Sequence, residues 1–387
     1  MTTATLDATA WTDRKRFWWL LGVIAPAFPL FGYAYYLMSG WTFFFWWSPF
    51  LVYVIFPILD AWIGEDEHNA PEAAVPKLLE DRYYRYAVMA AIPIQFATFL
   101  WGAWMWVHGD LPWLAMAGLA LSVGYTSGLA INTAHELGHQ TDPLERFLAK
   151  LSLAPGAYGH FYVEHNRGHH VRVATPEDPA TSRFGETFYE FFPRCVIGSF
   201  RSGWMLERER LAREGKPVWH WSNDNLQAWA MTAVIWAGTV AWLGWTVVPF
   251  LLVQAFYGGS LLEVVNYLEH YGLCRERRPD GTYERCQPHH SWNSNHVVTN
   301  IFLYHLQRHS DHHANPTRSY QALRDFPDVP RLPSGYSAMI LIAYVPWLWF
   351  RVMDPKVVAH YGGDMRRANI KPGLREAVIA KYGRQTA

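Results

Sequence analysis

Long apolar stretches alternate with polar regions along the chain, and these stretches have the length of membrane-spanning helices. A bilayer core about 30 Å thick is crossed by roughly 20 apolar residues in an α-helix. Prolines within several stretches are compatible with membrane helices, because neighbouring helices satisfy the freed carbonyl groups. The pattern predicts six transmembrane helices, at about residues 17–38, 41–63, 86–107, 111–134, 227–249 and 250–271.

The basic residues of the connecting segments predict the topology. The short links after the first, third and fifth spans carry no Lys or Arg, whereas the N-terminal segment and the loops after the second and fourth spans do. The positive-inside rule then places both termini and the large loops in the cytoplasm. The predicted fold class is an all-α integral membrane protein with six transmembrane helices and a helical cytoplasmic cap, formed by residues 135–226 and 272–387. Neither region looks like a separate domain, so residues 1–387 are predicted to form a single domain.

Two features of the C-terminal region allow more than one interpretation. A seventh apolar stretch, 336–350, is short and is interpreted as an interfacial or re-entrant helix. Residues 351–387 carry eight Lys or Arg against three Asp or Glu. Such a basic tail contacts anionic lipid or an acidic protein, or is simply a solvated tail.

The composition favours a membrane protein over soluble domains. Hydrophobic residues make up 51% of the chain and charged residues 17%, below the roughly 25% charged residues of soluble domains. Trp and Tyr, 21 of each, are typical of membrane interfaces. The basic residues Arg14, Lys15 and Arg16 precede the first span without an obvious cleavage site, which indicates a membrane helix and not a signal peptide. No nucleic-acid partner is expected.

The cysteines exclude several redox sites. Cys195, Cys274 and Cys286 form no CxxC pair, so the chain alone cannot build a zinc ribbon, a rubredoxin-type iron site or an iron–sulfur cluster. Three unpatterned cysteines indicate free thiols in a reducing compartment.

The 18 histidines carry the candidate chemistry, and half of them lie in four motifs near the ends of predicted spans. His135 and His139 are four residues apart and therefore share one helix face. The other motifs are H-x-x-x-H-H at 165–170, H-x-x-H-H at 309–313 and the lone His270. Adjacent residues of a helix point about 100° apart, so one histidine pair can serve two different metals.

Nine clustered histidines predict two metal ions with four or five imidazole ligands each. Without a metal, such a cluster would lose solvation, or its rings would repel one another when protonated. Imidazole suits zinc, copper, iron and nickel, so spacing alone does not identify the metal.

Two other classes of protein fit parts of the pattern. The segment 135–139 also reads as the HExxH motif of zinc metalloproteases, with Glu136 as base, but this leaves the remaining motifs unexplained. A membrane metal transporter would need polar or charged residues at mid-span. The predicted spans are nearly free of charge in their interiors, with Glu263 the main exception.

Four long motifs resemble those of the membrane-bound alkane 1-monooxygenases: HELGH at 135–139, EHNRGHH at 164–170, NYLEHYG at 266–272 and LQRHSDHH at 306–313. The resemblance extends to ATPEDPATSR at 174–183, HHSWNSNH at 289–296 and ANPTRSYQ at 314–321, and it covers about residues 15–383. NYLEHYG distinguishes this family from the acyl-lipid desaturases. Asn315 departs from the family pattern, where histidine is expected.

The resemblance implies a non-haem centre of two iron ions, without haem or flavin, that inserts one oxygen atom from O₂ at the terminal methyl of an n-alkane. No catalytic residues are implied beyond the metal ligands. By motif matching, the ligands are His135, His139, His165, His169, His170, His270, His309, His312 and His313. Carboxylates are expected to orient such ligands through the second ring nitrogen. Glu136, Glu164, Asp178, Glu269 and Asp311 are the candidates, unless they are helix caps or surface ion pairs.

The resemblance also implies an electron supply from NADH through a reductase and a rubredoxin, which is either separate or fused beyond residue 387. Rubredoxins are generally acidic, so the basic tail and Arg167, Arg172 and Arg308 are candidate contacts. The expected location is the bacterial inner membrane, with the active site on the cytoplasmic side. The related alternatives are a fatty-acyl desaturase and a xylene-type hydroxylase.

Nine of the 18 histidines lie outside the four motifs. His305 lies four residues before His309, so only the family pattern excludes it as a ligand. His160, His289, His290 and His296 are nearby and are expected to support the ligands in preference to binding the metal. His68, His108, His220 and His360 are expected at the surface. An apolar channel is expected among spans one to four and six, where Gly258 and Gly259 leave room unless they serve helix packing.

Overall fold

The computed structural model describes residues 11–382. Within this range the regular secondary structure is helical, apart from a few isolated β-bridges. Six helices are long and apolar enough to cross a membrane, which confirms the predicted fold class. Both termini are predicted to be cytoplasmic. Their outermost residues, 1–10 and 383–387, lie outside the described range. The six spans are Leu20–Ser39, Thr42–Ile63, Arg82–His108, Trp113–Gly138, Asp224–Leu243 and Trp245–His270.

The fourth and sixth spans pack closely against each other at the centre of the bundle. A Cβ atom on Gly258 would lie 2.8 Å from the Cβ of Ser127 and 2.9 Å from the carbonyl oxygen of Gly124. Small residues of this kind let two membrane helices approach closely. Ser127 also donates a hydrogen bond to the Gln254 side chain across the interface. Gly258 therefore serves helix packing and leaves no room for a channel.

The structure shifts several span boundaries from their predicted positions. The turn between the fifth and sixth spans lies at Gly244, ahead of the predicted join near Pro249. Gly244 has φ +81°, a conformation that favours glycine, whereas Pro249 sits in the first turn of the next α-helix, where proline is tolerated. The third span begins at Arg82, because the Asp81 side chain accepts a hydrogen bond from the Tyr83 N–H and caps the helix.

The second span contains a turn of π-helix at Leu51–Ile55, which ends two residues before Pro57. Proline has no N–H to donate to the preceding turn, and π-helix occurs mostly as a single wide turn within an α-helix. The wide turn includes Val52, which lines the apolar cavity described below.

The polar connections meet on one side of the bundle and form a cap. The loop after the second span pairs with the segment that precedes the 309–313 motif, through a bridge between Glu65 and His296. The Arg308 guanidinium binds the carbonyl oxygens of Asp66 and Leu323, both at 2.8 Å. From the N-terminal segment, Lys15 forms an ion pair with Asp66 at 2.9 Å. These contacts hold three distant parts of the chain over the ends of the spans.

The stretch predicted as an interfacial or re-entrant helix consists of two helices bent by 120°. The break precedes Pro346, and the residue before a proline is disfavoured in a helix. Its place relative to the membrane stays a prediction. The helices outside the spans are Val75–Glu80, Pro143–Leu153, Phe161–Glu164, the π-helical turn His165–His169, His170–Arg172, Phe188–Arg213, Val297–Phe302, His309–Ala314, Tyr336–Ala343, Pro346–His360 and Arg375–Tyr382.

Candidate metal centre

The nine histidines of the four motifs come together in two groups on the cap side of the bundle. The five-histidine group and the four-histidine group each have their possible ligand atoms within 4.8 Å of one another. All nine residues are predicted ligands. The five-histidine group is His135, His139, His165, His170 and His312, and the four-histidine group is His169, His270, His309 and His313.

Helix ends position these side chains. His135 lies in the last turn of the fourth span, His139 caps that helix, and His270 is the last helical residue of the sixth span. A short buried helix, His309–Ala314, carries the third motif. Since both membrane helices extend to their histidines, the rigid spans fix where these rings lie.

A π-helical turn at His165–His169 sets the register of the second motif. In a π-helix the N–H of residue i+5 bonds to the carbonyl oxygen of residue i, and the His170 N–H donates to the His165 carbonyl oxygen in this way. The Nε2 atoms of His165 and His170 lie 3.0 Å apart. His169 points instead to the four-histidine group. The α-helical spacing assumed from the sequence would have paired His165 with His169.

The five-histidine group has short nitrogen–nitrogen contacts. Successive Nε2 separations are 3.1 Å from His139 to His165, 3.0 Å from His165 to His170, 3.0 Å from His170 to His312 and 2.9 Å from His312 to His135. Two nitrogens bound at right angles to one metal, each by a bond of about 2.1 Å, lie roughly 3.0 Å apart. These separations therefore suit one cation among the five nitrogens.

The four-histidine group shows the same pattern. The Nε2 atom of His309 lies 3.2 Å from that of His270 and 2.9 Å from that of His313. The Nε2 atom of His169 is buried and has no hydrogen-bond partner within residues 11–382. A buried nitrogen without a partner is costly, and a metal ion would satisfy it.

The protonation of the rings also suits a metal. Burial lowers the pKa of His139 to about 3, and burial together with the neighbouring rings lowers the pKa of His165, His170, His309 and His312 well below the ordinary value. A metal binds the neutral imidazole. The site therefore keeps these lone pairs available near neutral pH.

Two of the predicted orienting carboxylates contact a histidine of the groups. Asp178 lies 2.9 Å from the Nδ1 atom of His169, and Thr181 donates a hydrogen bond to the same carboxylate oxygen at 2.6 Å. Burial alone would raise the pKa of Asp178, but the facing His169 ring lowers it overall. Glu269 lies 3.2 Å from the Nδ1 atom of His309, although the angle is poor for a hydrogen bond, and accepts one from the Tyr336 hydroxyl at 2.8 Å.

The other three predicted carboxylates have different partners. Glu136 accepts from the N–H of Tyr320 at 3.2 Å. Glu164 accepts from Arg172 at 2.9 Å and from Ser202 at 2.6 Å, and Asp311 accepts from Arg318 at 2.9 Å and from the N–H of Arg324 at 2.9 Å. These contacts join segments of the cap, and none of them reaches a ring of the two groups.

The remaining histidines lie outside both groups. His305 faces the Nζ atom of Lys15 and the carbonyl oxygen of Tyr320, each at 3.0 Å. His160 is buried and its Nε2 atom has no partner within residues 11–382, a feature that sequence spacing gave no means to find. His296 contacts Ser294, and His289 and His290 form a separate, partly exposed group with Glu284. His68 and His108 are exposed as predicted, whereas His220 and His360 are half-buried.

An apolar cavity reaches the two histidine groups from within the bundle. Its walls come from the second, fourth and sixth spans and from the segments 299–306 and 336–340. The first and third spans, which we expected to contribute, do not line it. His135, His165 and His309 form part of its wall, so both groups border the same apolar space. A long apolar molecule can thus approach both candidate metal sites.

Comparison with known proteins gives consistent results. The family model described as fatty acid desaturase matches residues 111–342. The chain is 48% identical to alkane 1-monooxygenase 1 of Alcanivorax borkumensis, over 97% of the chain and 93% of that relative. It is 46% identical to the alkane 1-monooxygenase of Ectopseudomonas oleovorans, over 98% of the chain and 95% of that relative. A more distant relative, at 28% identity over 69% of the chain and 70% of the relative, is the xylene/toluene monooxygenase hydroxylase component of Pseudomonas putida.

Proposed function

The chain belongs to the alkane 1-monooxygenase family, and from that premise we propose that it hydroxylates the terminal methyl of n-alkanes with O₂ at a diiron centre held by nine histidines. The observation that carries the proposal is the apolar cavity bordered by both histidine groups. We treat residues 1–387 as one catalytic unit embedded in the bacterial inner membrane, with the histidine cap on the cytoplasmic side.

Each histidine group would hold one iron. His135, His139, His165, His170 and His312 would bind one ion, and His169, His270, His309 and His313 the other. The irons supply the oxygen chemistry that an unactivated C–H bond requires, since no acid or base can act on such a bond. The proposal includes neither haem nor flavin.

The cavity walls position the substrate. An alkane has no polar group for the protein to recognise, so its binding depends on the apolar surface removed from water, at about 25 cal/mol per Å². The cavity runs along one face of the fourth span, through Tyr125, Leu129 and Asn132 to His135. An extended chain lying along this face presents its end to the histidine groups and leaves its interior carbons against aliphatic side chains. This arrangement favours reaction at the terminal carbon.

Carboxylates fix the orientation of the rings. Asp178 accepts a hydrogen bond from the Nδ1–H of His169, which leaves Nε2 as the metal-binding atom. Such partners keep a ligand in one tautomer and one orientation. Glu269 lies beside His309 and is itself held by Tyr336. Each of the two carboxylates supports a ligand of the four-histidine group.

An external protein must supply the electrons. The free cysteines Cys195, Cys274 and Cys286 are scattered, so residues 11–382 contain no cysteine-bound iron site. We propose a rubredoxin as the donor, itself reduced by an NADH-dependent reductase. Each turnover consumes two electrons: RH + O₂ + 2e⁻ + 2H⁺ gives ROH + H₂O.

Purified protein in lipid nanodiscs tests the proposal. We expect two irons for each active chain and conversion of octane to 1-octanol with NADH, reductase and rubredoxin. Octene as the product would favour a desaturase, and hydroxylation of p-xylene in preference to octane would favour a xylene-type enzyme. Active protein with fewer than two irons would contradict the diiron assignment. His68→Ala, at an exposed histidine, serves as the matched control for variants of the nine ligands.

A further inference from the structure

The three arginines expected to contact an electron donor are engaged within the chain. Arg167 forms ion pairs with Glu207 and Asp224, and Arg172 binds Glu164 and Ser202. Arg308 is buried and donates to backbone carbonyl oxygens of the cap. Most N–H donors of these guanidinium groups are therefore already bonded to other residues of the cap.

A different surface concentrates arginines. A groove lies between the hairpin at 277–283 and the C-terminal segment at 366–375. Within residues 11–382, only two of its six arginines have a carboxylate within 4.0 Å: Arg366 pairs with Asp364 and Arg367 with Glu276. We call this surface the arginine groove; its arginines are Arg183, Arg275, Arg277, Arg366, Arg367 and Arg375.

Arg275 is the clearest sign that the groove binds a ligand. The residue is only 7% exposed, and its Nη1 atom donates to the carbonyl oxygen of Val171 at 3.0 Å. Its Nε and Nη2 atoms have no nitrogen or oxygen partner within residues 11–382, and the thiol that lies near the guanidinium, that of Cys286, is only a weak acceptor. A buried guanidinium with unused donors is costly. Because its donors form a planar fork that matches a carboxylate, an acidic group entering the groove would satisfy them.

The groove lies next to the histidine groups. Val171, which accepts the hydrogen bond of Arg275, directly follows His170 in the chain. Arg275 also follows His270 by five residues, and its N–H donates to the carbonyl oxygen of Ala174 at 2.7 Å. A protein bound in the groove would thus be separated from both histidine groups by short stretches of chain.

Backbone hydrogen bonds make the floor of the groove rigid. The Gly272 N–H donates to Ser182, the Asn369 N–H donates to Gly272, and the Phe184 N–H donates to Asn369, at 3.1, 3.1 and 2.7 Å. These bonds hold three distant segments together, so the arginines are positioned before any partner arrives. A preorganised site loses less conformational entropy on binding.

We propose that the arginine groove is the docking site for the electron donor, an acidic protein whose carboxylates bind Arg275 and the exposed arginines around it. The inference rests on the proposed function, since that function requires an external donor. The donor binds twice in each turnover and gives up one electron each time, and it leaves oxidised.

Two neighbouring arginines provide a matched test. Arg277 lines the groove, whereas Arg278 lies on the same hairpin, is also exposed and does not line it. We expect Arg277→Glu to raise the KM for rubredoxin in octane hydroxylation about tenfold and to weaken its salt dependence, as for a charge at the rim of an interface. Arg278→Glu should change the KM by less than about twofold. Iron content and single-turnover oxidation of octane with dithionite should be the same in both variants and in the unaltered protein.

The outcomes separate this inference from the proposed function. Equal KM values for Arg277→Glu and Arg278→Glu would overturn the groove as the docking site. Absence of rubredoxin-driven turnover in the unaltered protein, with dithionite-driven turnover intact, would instead refute rubredoxin as the donor. Nanodiscs with and without anionic lipid distinguish a lipid headgroup as the occupant: a defect of Arg277→Glu that appears only with anionic lipid would also overturn the inference. Arg375→Glu, on the opposite wall of the groove, should reproduce the KM change.

Discussion

His169 and His170 are adjacent in the chain, but their imidazole rings lie in different histidine groups, with ring centroids 5.9 Å apart and planes at 83°. His312 and His313 divide in the same way. Each pair thus contributes one ligand to each candidate metal site. The two sites are joined through the backbone of these pairs, and a displacement of either segment would disturb both.

Single substitutions within the first pair should affect different metals. His169→Ala removes one of four nitrogens and should lower the iron content to about one per chain, whereas His170→Ala removes one of five and should lower it less. Metal analysis gives the content, and Mössbauer spectra of ⁵⁷Fe-loaded protein identify the remaining iron. The exposed variant His68→Ala should retain both irons. Identical residual spectra for the two variants would contradict the division into two groups.

Removal of the carboxylate beside His169 should weaken metal binding without unfolding the protein. Asp178→Asn keeps the size of the side chain but no longer presents a charged acceptor to the His169 Nδ1–H. Loss of such an orienting partner typically costs about 10–100-fold in metal affinity. Competition with a chelator measures this change, and Glu177→Gln, at an exposed neighbouring carboxylate, is the control. Equal chelator sensitivity of the two variants would rule out an orienting role for Asp178.

The length of the cavity should determine which alkanes react. Tyr125 lines the cavity ten residues before His135 on the fourth span, about 15 Å along the helix axis. Tyr125→Ala should extend the space away from the histidines and shift the preferred alkane to longer chains. Trp113→Ala, on the same helix at a side chain that is 78% exposed, should leave the preference unchanged. Competition between octane and hexadecane, with analysis of the alcohols formed, measures the shift.

The buried histidine outside both groups should make stability depend on pH. Burial lowers the pKa of His160 to about 4, below the roughly 6.5 expected for the unfolded chain. The unfolded chain therefore binds more protons below pH 6.5, and the folded state loses stability as the pH falls from 6.5 towards 4. At pH 5 the lowered pKa of His160 reduces the free energy of unfolding by about 2 kcal/mol.

Comparison of two variants measures that contribution. His160→Gln removes the titrating group, so its thermal unfolding temperature should fall less between pH 7 and pH 5 than that of the unaltered protein. His220→Gln, at a half-buried histidine of the cap, should follow the unaltered protein. A parallel decline in all three proteins would show that His160 does not contribute.

The sequence determined much of the fold because the required signals are local. A membrane helix needs about 20 apolar residues, and this pattern predicted six spans that the structure confirms. The pattern did not locate every boundary of the spans, because a turn depends on local conformation: Gly244, with φ +81°, ends the fifth span ahead of Pro249. The motifs also identified the family and all nine histidines of the two groups, although their role as iron ligands stays a proposal.

Only the tertiary structure decided how these residues are combined. Spacing along a helix gives the relative direction of two side chains, but contacts between segments distant in sequence depend on packing. Packing divided the histidines into five and four, and the π-helical turn at His165–His169 paired His165 with His170. It placed Asp178 and Glu269 beside ligand rings and directed Glu136, Glu164 and Asp311 elsewhere. It also buried Arg308 and assembled the arginine groove from segments almost 200 residues apart, which no local pattern could indicate.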